Sequence, residues 1–389
     1  MRSNNKEGPY VKHRLPHLAR ALTITAFALA LCVSVTGASA SASASAAKHP
    51  HRPAPPWVVA CQILHRHHSH RPCPGPKKMA RPSQTLRRTT RQAPTVTELP
   101  TPTTYSGPLG ITSVGGNLWF SEFSEGQVGT VTPAGAFTEY ALPTADSGPA
   151  EIALGPDGNL WTPEYWGNNI ARITPAGVVT EFPLPTPDAG PWGITAGPDG
   201  NLWFTEANAS NVGMITPDGV ITEYTLPTAG AYPFFMTAGP DGAIWFTELA
   251  TGNIGRITTS GAITEMPGAP GTAGWSLPVG ITTGPDGNLW LTDDASSGID
   301  RMTTSGTATQ FTVNDPNAGL WGITTGPDGN LWYAQANDNV IGSMTPTGTI
   351  TQTIPLAAPY ASPWEGVAGP DGNVWFTENG GNNIDVITP

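Results

Sequence analysis

Seven tryptophans, Trp119, Trp161, Trp203, Trp245, Trp290, Trp332 and Trp375, follow one another at steps of 42, 42, 42, 45, 42 and 43 residues. Each sits in the same phrase, which in one copy reads Gly193-Ile194-Thr195-Ala196-Gly197-Pro198-Asp199-Gly200-Asn201-Leu202-Trp203-Phe204-Thr205-Glu206. A period in this range, with several short strands per unit, predicts a β-propeller. With 41 prolines and 46 glycines the chain would otherwise suggest disorder. Most of them fall at fixed offsets in the repeat and act as turn punctuation.

One repeat reads as four strands. Gly193-Ile194-Thr195 is a short inner strand, and Gly197-Pro198-Asp199-Gly200 is a turn in which proline presets φ and glycine accepts positive φ. Asn201 to Glu206 is a second strand, apolar on both faces as expected between neighbouring blades. Asn211 to Thr216 is a third strand, Val220 to Tyr224 an outer fourth, and Leu226-Pro227-Thr228 crosses to the next blade. The chain ends on a third strand at Asn383 to Pro389 with no fourth after it. Thr95-Val96-Thr97-Glu98-Leu99-Pro100 matches the fourth-strand pattern. The expected architecture is therefore all-β: seven four-stranded blades over residues 95–389, with the N-terminal strand completing the last blade and removing the open edge.

Two segments precede the ring. Lys6, Lys12, Arg14 and Arg20 lead into an apolar run from Ala21 to Val35 and then Gly37-Ala38-Ser39-Ala40, the order of a secretory signal over residues 1–40. The run is short for a membrane span, which needs about 20 residues. No span is expected after cleavage, and the reading places the protein outside the cell, in the periplasm or in the cell envelope. Residues 41–94 carry ten Lys/Arg and no acid, and read as a basic, His/Pro-rich disordered arm. Cys61 and Cys73 could close a loop there, and His65, His67, His68 and His70 could take a metal.

The net charge of −11 hides a division. The repeats hold Arg172, Arg256 and Arg301, no lysine and 28 acids, a balance of −25. A ring this acidic repels nucleic acid and anionic lipid. All eight histidines precede residue 95. The ring therefore has no imidazole, and no Ser/His/Asp or Cys/His set can be built in it.

Two sets of ring residues could carry function. The second strands end in Glu122, Glu164, Glu206, Glu248, Asp293, Gln335 and Glu378. These either hold a hard cation such as Mg²⁺ or Ca²⁺, or serve each blade by accepting loop N–H bonds. The slot before the Gly-Ile-Thr glycine varies as Leu109, Ala150, Trp192, Phe234, Val279, Trp321 and Trp364. Trp166, Tyr232 and Trp275 add aromatic surface, and Glu151 and Glu365 replace the glycine itself. Aromatics with scattered acids at a funnel mouth suit an amphipathic, cyclic or saccharide-like ligand, unless the rings cap the inter-blade core.

The repeat, with its continuations Asn-x-Ile-Gly-Arg-Ile-Thr-Pro and Ile-Thr-Glu-Phe-Pro-Leu-Pro-Thr, resembles the virginiamycin B (streptogramin) lyase family over residues 95–389. The resemblance implies a seven-bladed ring and an enzyme that opens a cyclic depsipeptide antibiotic by elimination at its ester, with Mg²⁺ and a histidine base. It places the histidines at the slots of Trp321 and Trp364, a glutamate at Ser362, and a metal-serving glutamate at Glu378. Only Glu378 matches.

The functional expectation is an exported, monomeric propeller that binds a small-molecule or cell-envelope ligand at its loop-rich upper face. Trp192, Phe234, Trp321, Trp364 and Glu365 are the ligand-binding candidates, Glu378 is the metal candidate, and no residue is assigned as catalytic. The competing expectation is a Mg²⁺-dependent carbon–oxygen lyase of the virginiamycin B type with an unorthodox base, for which Glu365 is the substitute. Other carboxylate-and-metal chemistry, such as lactone hydrolysis, is a third.

Overall fold

The computed structural model describes residues 94–267, 276–313 and 315–389. The signal-like segment, all but the last residue of the arm with its cysteines and histidines, and Trp275 lie outside the described residues.

The described chain forms seven four-stranded antiparallel sheets and no helix. Blade 3 is typical: Pro191–Ala196 is innermost, followed by Leu202–Glu206, Asn211–Ile215 and Ile221–Thr225. Blade 7 is built from both ends of the chain. Pro363–Ala368, Val374–Glu378 and Asn383–Thr388 are joined by Thr95–Pro100, which runs antiparallel to the last strand from Thr95↔Thr388 to Pro100↔Asn383. The expected propeller and its closure are the ones found.

The repeated phrase is a set of hydrogen bonds. The indole N–H of Trp203 donates to Asp199 Oδ1 at 3.2 Å, and Trp161, Trp245, Trp290, Trp332 and Trp375 do the same to the aspartate of their own turn at 2.9–3.1 Å. The buried ring thus satisfies its one polar atom at the sheet's lower edge. At Gly197 a Cβ would stand 2.4 Å from Asp199 and 2.6 Å from the Trp203 ring, so that turn position excludes any side chain.

The blades are fastened in two further ways. Thr205 Oγ1 accepts from Gly193 N at 2.8 Å and donates to Phe234 O of the next blade at 2.7 Å. Thr247, Thr292 and Thr377 donate to the next blade at 2.5–2.8 Å. Farther out, Glu223 of the fourth strand accepts from Thr186 N at 3.0 Å and Thr186 Oγ1 at 2.7 Å, clamping the crossing that enters its blade. Glu139, Glu181 and Glu265 repeat this on Thr103, Thr144 and Thr228. Glu98 of the N-terminal strand takes the same role on Ala357 N and Ala358 N, at 2.7 and 3.1 Å.

Thr205→Val keeps the shape of the side chain and strands a buried N–H and a buried C=O. It is expected to lower unfolding free energy by about 2 kcal/mol, read from denaturant midpoints at unchanged m.

Candidate functional site

In each full blade the start of the inner strand is level with the end of the second, as in Pro191↔Glu206. The crossings and the second-to-third-strand loops therefore share one face, the upper one. The seven variable slots meet there. Leu109, Ala150, Trp192, Phe234, Val279 and Trp364 belong to one buried apolar cluster, with Trp321 packed against it. One residue from each blade converging on one cluster places it at the ring's axis.

Four of these rings form a closed circuit. Trp192 stacks on Phe234 at 5.0 Å, Phe234 meets Trp321 at 6.2 Å, Trp321 stacks on Trp364 at 4.0 Å, and Trp364 lies 6.3 Å from Trp192. Phe123 and Tyr165 pack on Trp192 from outside at 5.6 and 5.7 Å. Trp192, Phe234 and Trp364 are buried, and Trp321 retains partial exposure. The four aromatic candidates are thus brought together, and they fill the mouth of the channel instead of spreading around it.

The glycine of the next slot exists for the same convergence. A Cβ at Gly193, Gly280 or Gly322 would stand 2.4–2.5 Å from the carbonyl oxygen of Phe234, Trp321 or Trp364 in the following blade. Blades 2 and 7 have Glu151 and Glu365 at this slot instead, and blade 4 has Phe235. Glu151 Oε2 accepts from Ile194 N of blade 3 at 3.0 Å, and Glu365 accepts from Ile111 N of blade 1. Burial pushes Glu365 up to about 8. Burial, and then the nearby Glu365, hold Glu151 well above the usual carboxylate range. Glu365 is therefore mostly a neutral acid at pH 7. Its carboxyl is tied to the backbone of blade 1, and its buried Oε2 has no donor among the described residues.

The second-strand acids are interior groups. Glu122, Glu164, Glu206, Glu248, Asp293 and Glu378 have no exposed surface. Glu164, Glu206 and Glu378 accept from the asparagine that opens the third strand at 2.6–2.9 Å, and Glu248 from Asn253 at 3.3 Å. Asp293 instead accepts from Leu277 N, Ala295 N, Ser296 N and Ser276 Oγ. Burial pushes Glu122, Glu164 and Glu206 up to about 8.

The upper-face cation implied by the resemblance does not fit these residues. Glu378 has no exposed surface and its carboxyl lies inside the sheet beside Asn383, Glu98 and Asp385, and the slot for a second glutamate holds Ser362 at φ +47°. The slots for histidine hold the stacked pair Trp321 and Trp364.

Sequence reasoning missed two features. Tyr105 and Tyr360 are 73% and 39% exposed, on the crossings into blades 1 and 7, at φ +61° and +63°. Equivalent positions hold Asp146, Asp188 and Gly230, so the signal was an aromatic where the repeat uses turn residues. Left-handed backbone at a bulky exposed residue is costly and clusters at functional surfaces. The second is an aspartate at the third-strand glycine slot in two blades, Asp300 and Asp385. Aligning the third strands, Gly129, Ala171, Gly213, Gly255, Asp300, Gly342 and Asp385, would have exposed it.

The model of the virginiamycin B lyase family matches residues 93–318 and 273–389. A solved streptogramin B lyase is 37% identical, covers 76% of this chain and 97% of its own, and superposes with a TM-score of 0.72. The virginiamycin B lyase of Staphylococcus aureus is 39% identical over 76% of this chain and all of its own, also at 0.72. One structure of that protein is a catalytically inactive histidine-to-alanine variant with quinupristin. The virginiamycin B lyase of Nocardia farcinica is 39% identical over 56 residues, a stretch that spans 20% of that relative's length.

Proposed function

This chain belongs to the virginiamycin B lyase family, and from that premise we propose that it keeps the family's ring as a binding propeller without the lyase's proton chemistry. The observation that carries this reading is the stacked pair Trp321 and Trp364, standing where the resemblance places the histidines. Elimination needs a base that can take a carbon-bound proton near neutral pH. The ring contains no histidine, and a histidine-to-alanine change leaves the S. aureus relative catalytically inactive.

The ligand is an amphipathic cyclic or saccharide-like molecule. It rests on Trp321 and the packed rings of Trp192, Phe234 and Trp364, with Tyr360 and Tyr105 exposed on the crossings into blades 7 and 1. Aromatic rings offer large apolar area at low entropic cost, which suits such a surface. The basic N-terminal sequence gives this ring an export signal, and it acts outside the cytoplasm as a monomer. Among the described residues no helix is long and apolar enough to cross a membrane.

The test uses quinupristin as probe. Purified protein with quinupristin and Mg²⁺ is expected to give no linear product by mass spectrometry. Tryptophan fluorescence is expected to report binding that Trp321→Ala weakens at least about tenfold, equivalent to about 1.4 kcal/mol. Linear product formed by the unmodified protein would establish the lyase reading instead, and absence of both binding and turnover would defeat the binding reading for this ligand class.

A further inference from the structure

Blade 7 departs from the repeat at two linked positions. In blades 1, 3, 4 and 6 the third strand has a glycine under the second-strand ring. A Cβ at Gly129, Gly213, Gly255 or Gly342 would stand 2.0–2.3 Å from the ring of Phe120, Phe204, Phe246 or Tyr333. Blade 7 places Asp385 there, opposite Phe376. Room for it comes from the inner strand, where Gly366 replaces the isoleucine or methionine of the other blades. The Phe376 ring lies over Gly366, 2.5 Å from where a Cβ would be.

This paired exchange buries a third carboxylate beside two others. Asp385 faces Glu98 across the closing strand pair, and Glu378 completes the group. One carboxylate oxygen from each of the three lies within 4.8 Å of the other two. Asp385 has no exposed surface, and among the described residues no N–H or hydroxyl group donates to either of its oxygens or to Glu378 Oε1; the Asp385 and Glu378 carboxyls meet each other instead. The donors present are Asn383 Nδ2 on Glu378 Oε2, and Ala357 N and Ala358 N on Glu98 Oε1. The three arginines of the ring are engaged in other blades, with Pro217 O, Asp241 and Asp286. Buried charge without a counter-charge is strongly unfavourable.

Blade 5 also has an aspartate at this slot, Asp300, but makes room for it with Leu291 in place of the ring and keeps Ile281 on the inner strand; Asp300 Oδ1 is likewise buried with no donor among the described residues. There the fourth-strand acid is Gln310, and Asp293 is satisfied by three backbone N–H groups and Ser276. Blade 7 keeps all three acids and supplies no such donors to Asp385.

We propose that a hard divalent cation, Ca²⁺ or Mg²⁺, binds among Glu98, Glu378 and Asp385 and ties the N-terminal strand to the C-terminal hairpin. An all-oxygen, carboxylate-rich donor set selects such ions, with water or backbone oxygen completing the shell. Phe376 and Ile387, on the same side of the sheet, pack with Trp332 and Ile341 of blade 6. The ion therefore lies between blades 6 and 7, and its binding is measured with no ligand on the upper face.

The full-length protein, stripped with EDTA at pH 7.5, is titrated with CaCl₂ and separately with MgCl₂, using calorimetry and native mass spectrometry. One ion per chain and a rise of at least about 4 °C in thermal midpoint are expected. Asp385→Asn and Glu98→Gln remove that rise. Glu206→Gln, in a blade with Gly213 at the aspartate slot, retains it. Equal midpoints in EDTA and saturating ion, or a rise that survives Asp385→Asn, overturn the proposal. If Asp385→Asn does not fold, Glu98→Gln and ion counting on the unmodified protein still decide it, and absence of an ion with both metals counts against it.

Discussion

Deleting residues 95–100 from the otherwise full-length chain is expected to lower the thermal midpoint by at least about 10 °C. The segment supplies the outer strand of blade 7 through six register pairs. It also supplies Val96 and Leu99, which pack against the cores flanking blade 7, and Glu98, which clamps the crossing at Ala357 and Ala358. Burial of two aliphatic side chains and a strand ladder, less the entropy of ordering six residues, leaves a loss on the order of 5 kcal/mol. For a domain of this size that corresponds to about 2 °C per kcal/mol. The loss also turns Asn383–Thr388 into an unpaired edge, so concentration-dependent association should accompany it. A deletion variant that melts within 2 °C of the intact protein and stays monodisperse would show that the ring does not depend on this closure.

The fold was legible because its determinants are local. Asp199 and Trp203 are four residues apart, and their hydrogen bond needs only the turn between them. The match between Thr95–Pro100 and the fourth strands was legible for the same reason. The site was harder to read because its meaning depends on convergence. Trp192, Phe234, Trp321 and Trp364 are far apart in the chain, and only the ring's axis brings them into one circuit. A list of slots cannot distinguish rings that line a channel from rings that fill it. The second-strand acids offered two readings, a cation well or service to the blade. Glu164, Glu206 and Glu248 turn out to accept from asparagine or threonine side chains inside the sheet, a variant of the second. The Glu98, Glu378 and Asp385 group escaped notice because one member comes from the opposite end of the chain. The space for another is made by a missing side chain at Gly366.

The buried acids give the ring an inverted response to pH. Glu122, Glu164 and Glu206 hold protons up to about 8, because burial penalises their charged form; the ordinary value is 4.5. In the unfolded chain each titrates near the ordinary value. Between about 4.5 and 8 the folded state therefore binds more protons than the unfolded state, and stability falls as pH rises. The contribution is complete below about 4.5, is lost progressively up to about 8, and changes little beyond. Glu206 shows the surroundings that set this. Its carboxyl meets Asn211 and the fourth-strand Glu223, which is itself committed to Thr186, and no cation among the described residues faces it. The turn aspartates oppose the trend at the acid end. Asp157, Asp241, Asp286 and Asp371 are held below the ordinary range by indole, amide or guanidinium donors, so their contribution disappears as pH falls below about 4. The midpoint is expected to peak near pH 4.5–5 and to fall by about 10 °C or more by pH 8, since each fully expressed shift of this size is worth up to about 5 kcal/mol. Glu206→Gln, a neutral mimic of the protonated acid, should raise the midpoint at pH 8 and leave it nearly unchanged at pH 5. A midpoint that is flat or rising between pH 5 and 8, or a Gln variant that melts lower at pH 8, would mean these carboxyls are ionised inside the fold and paired with a positive charge.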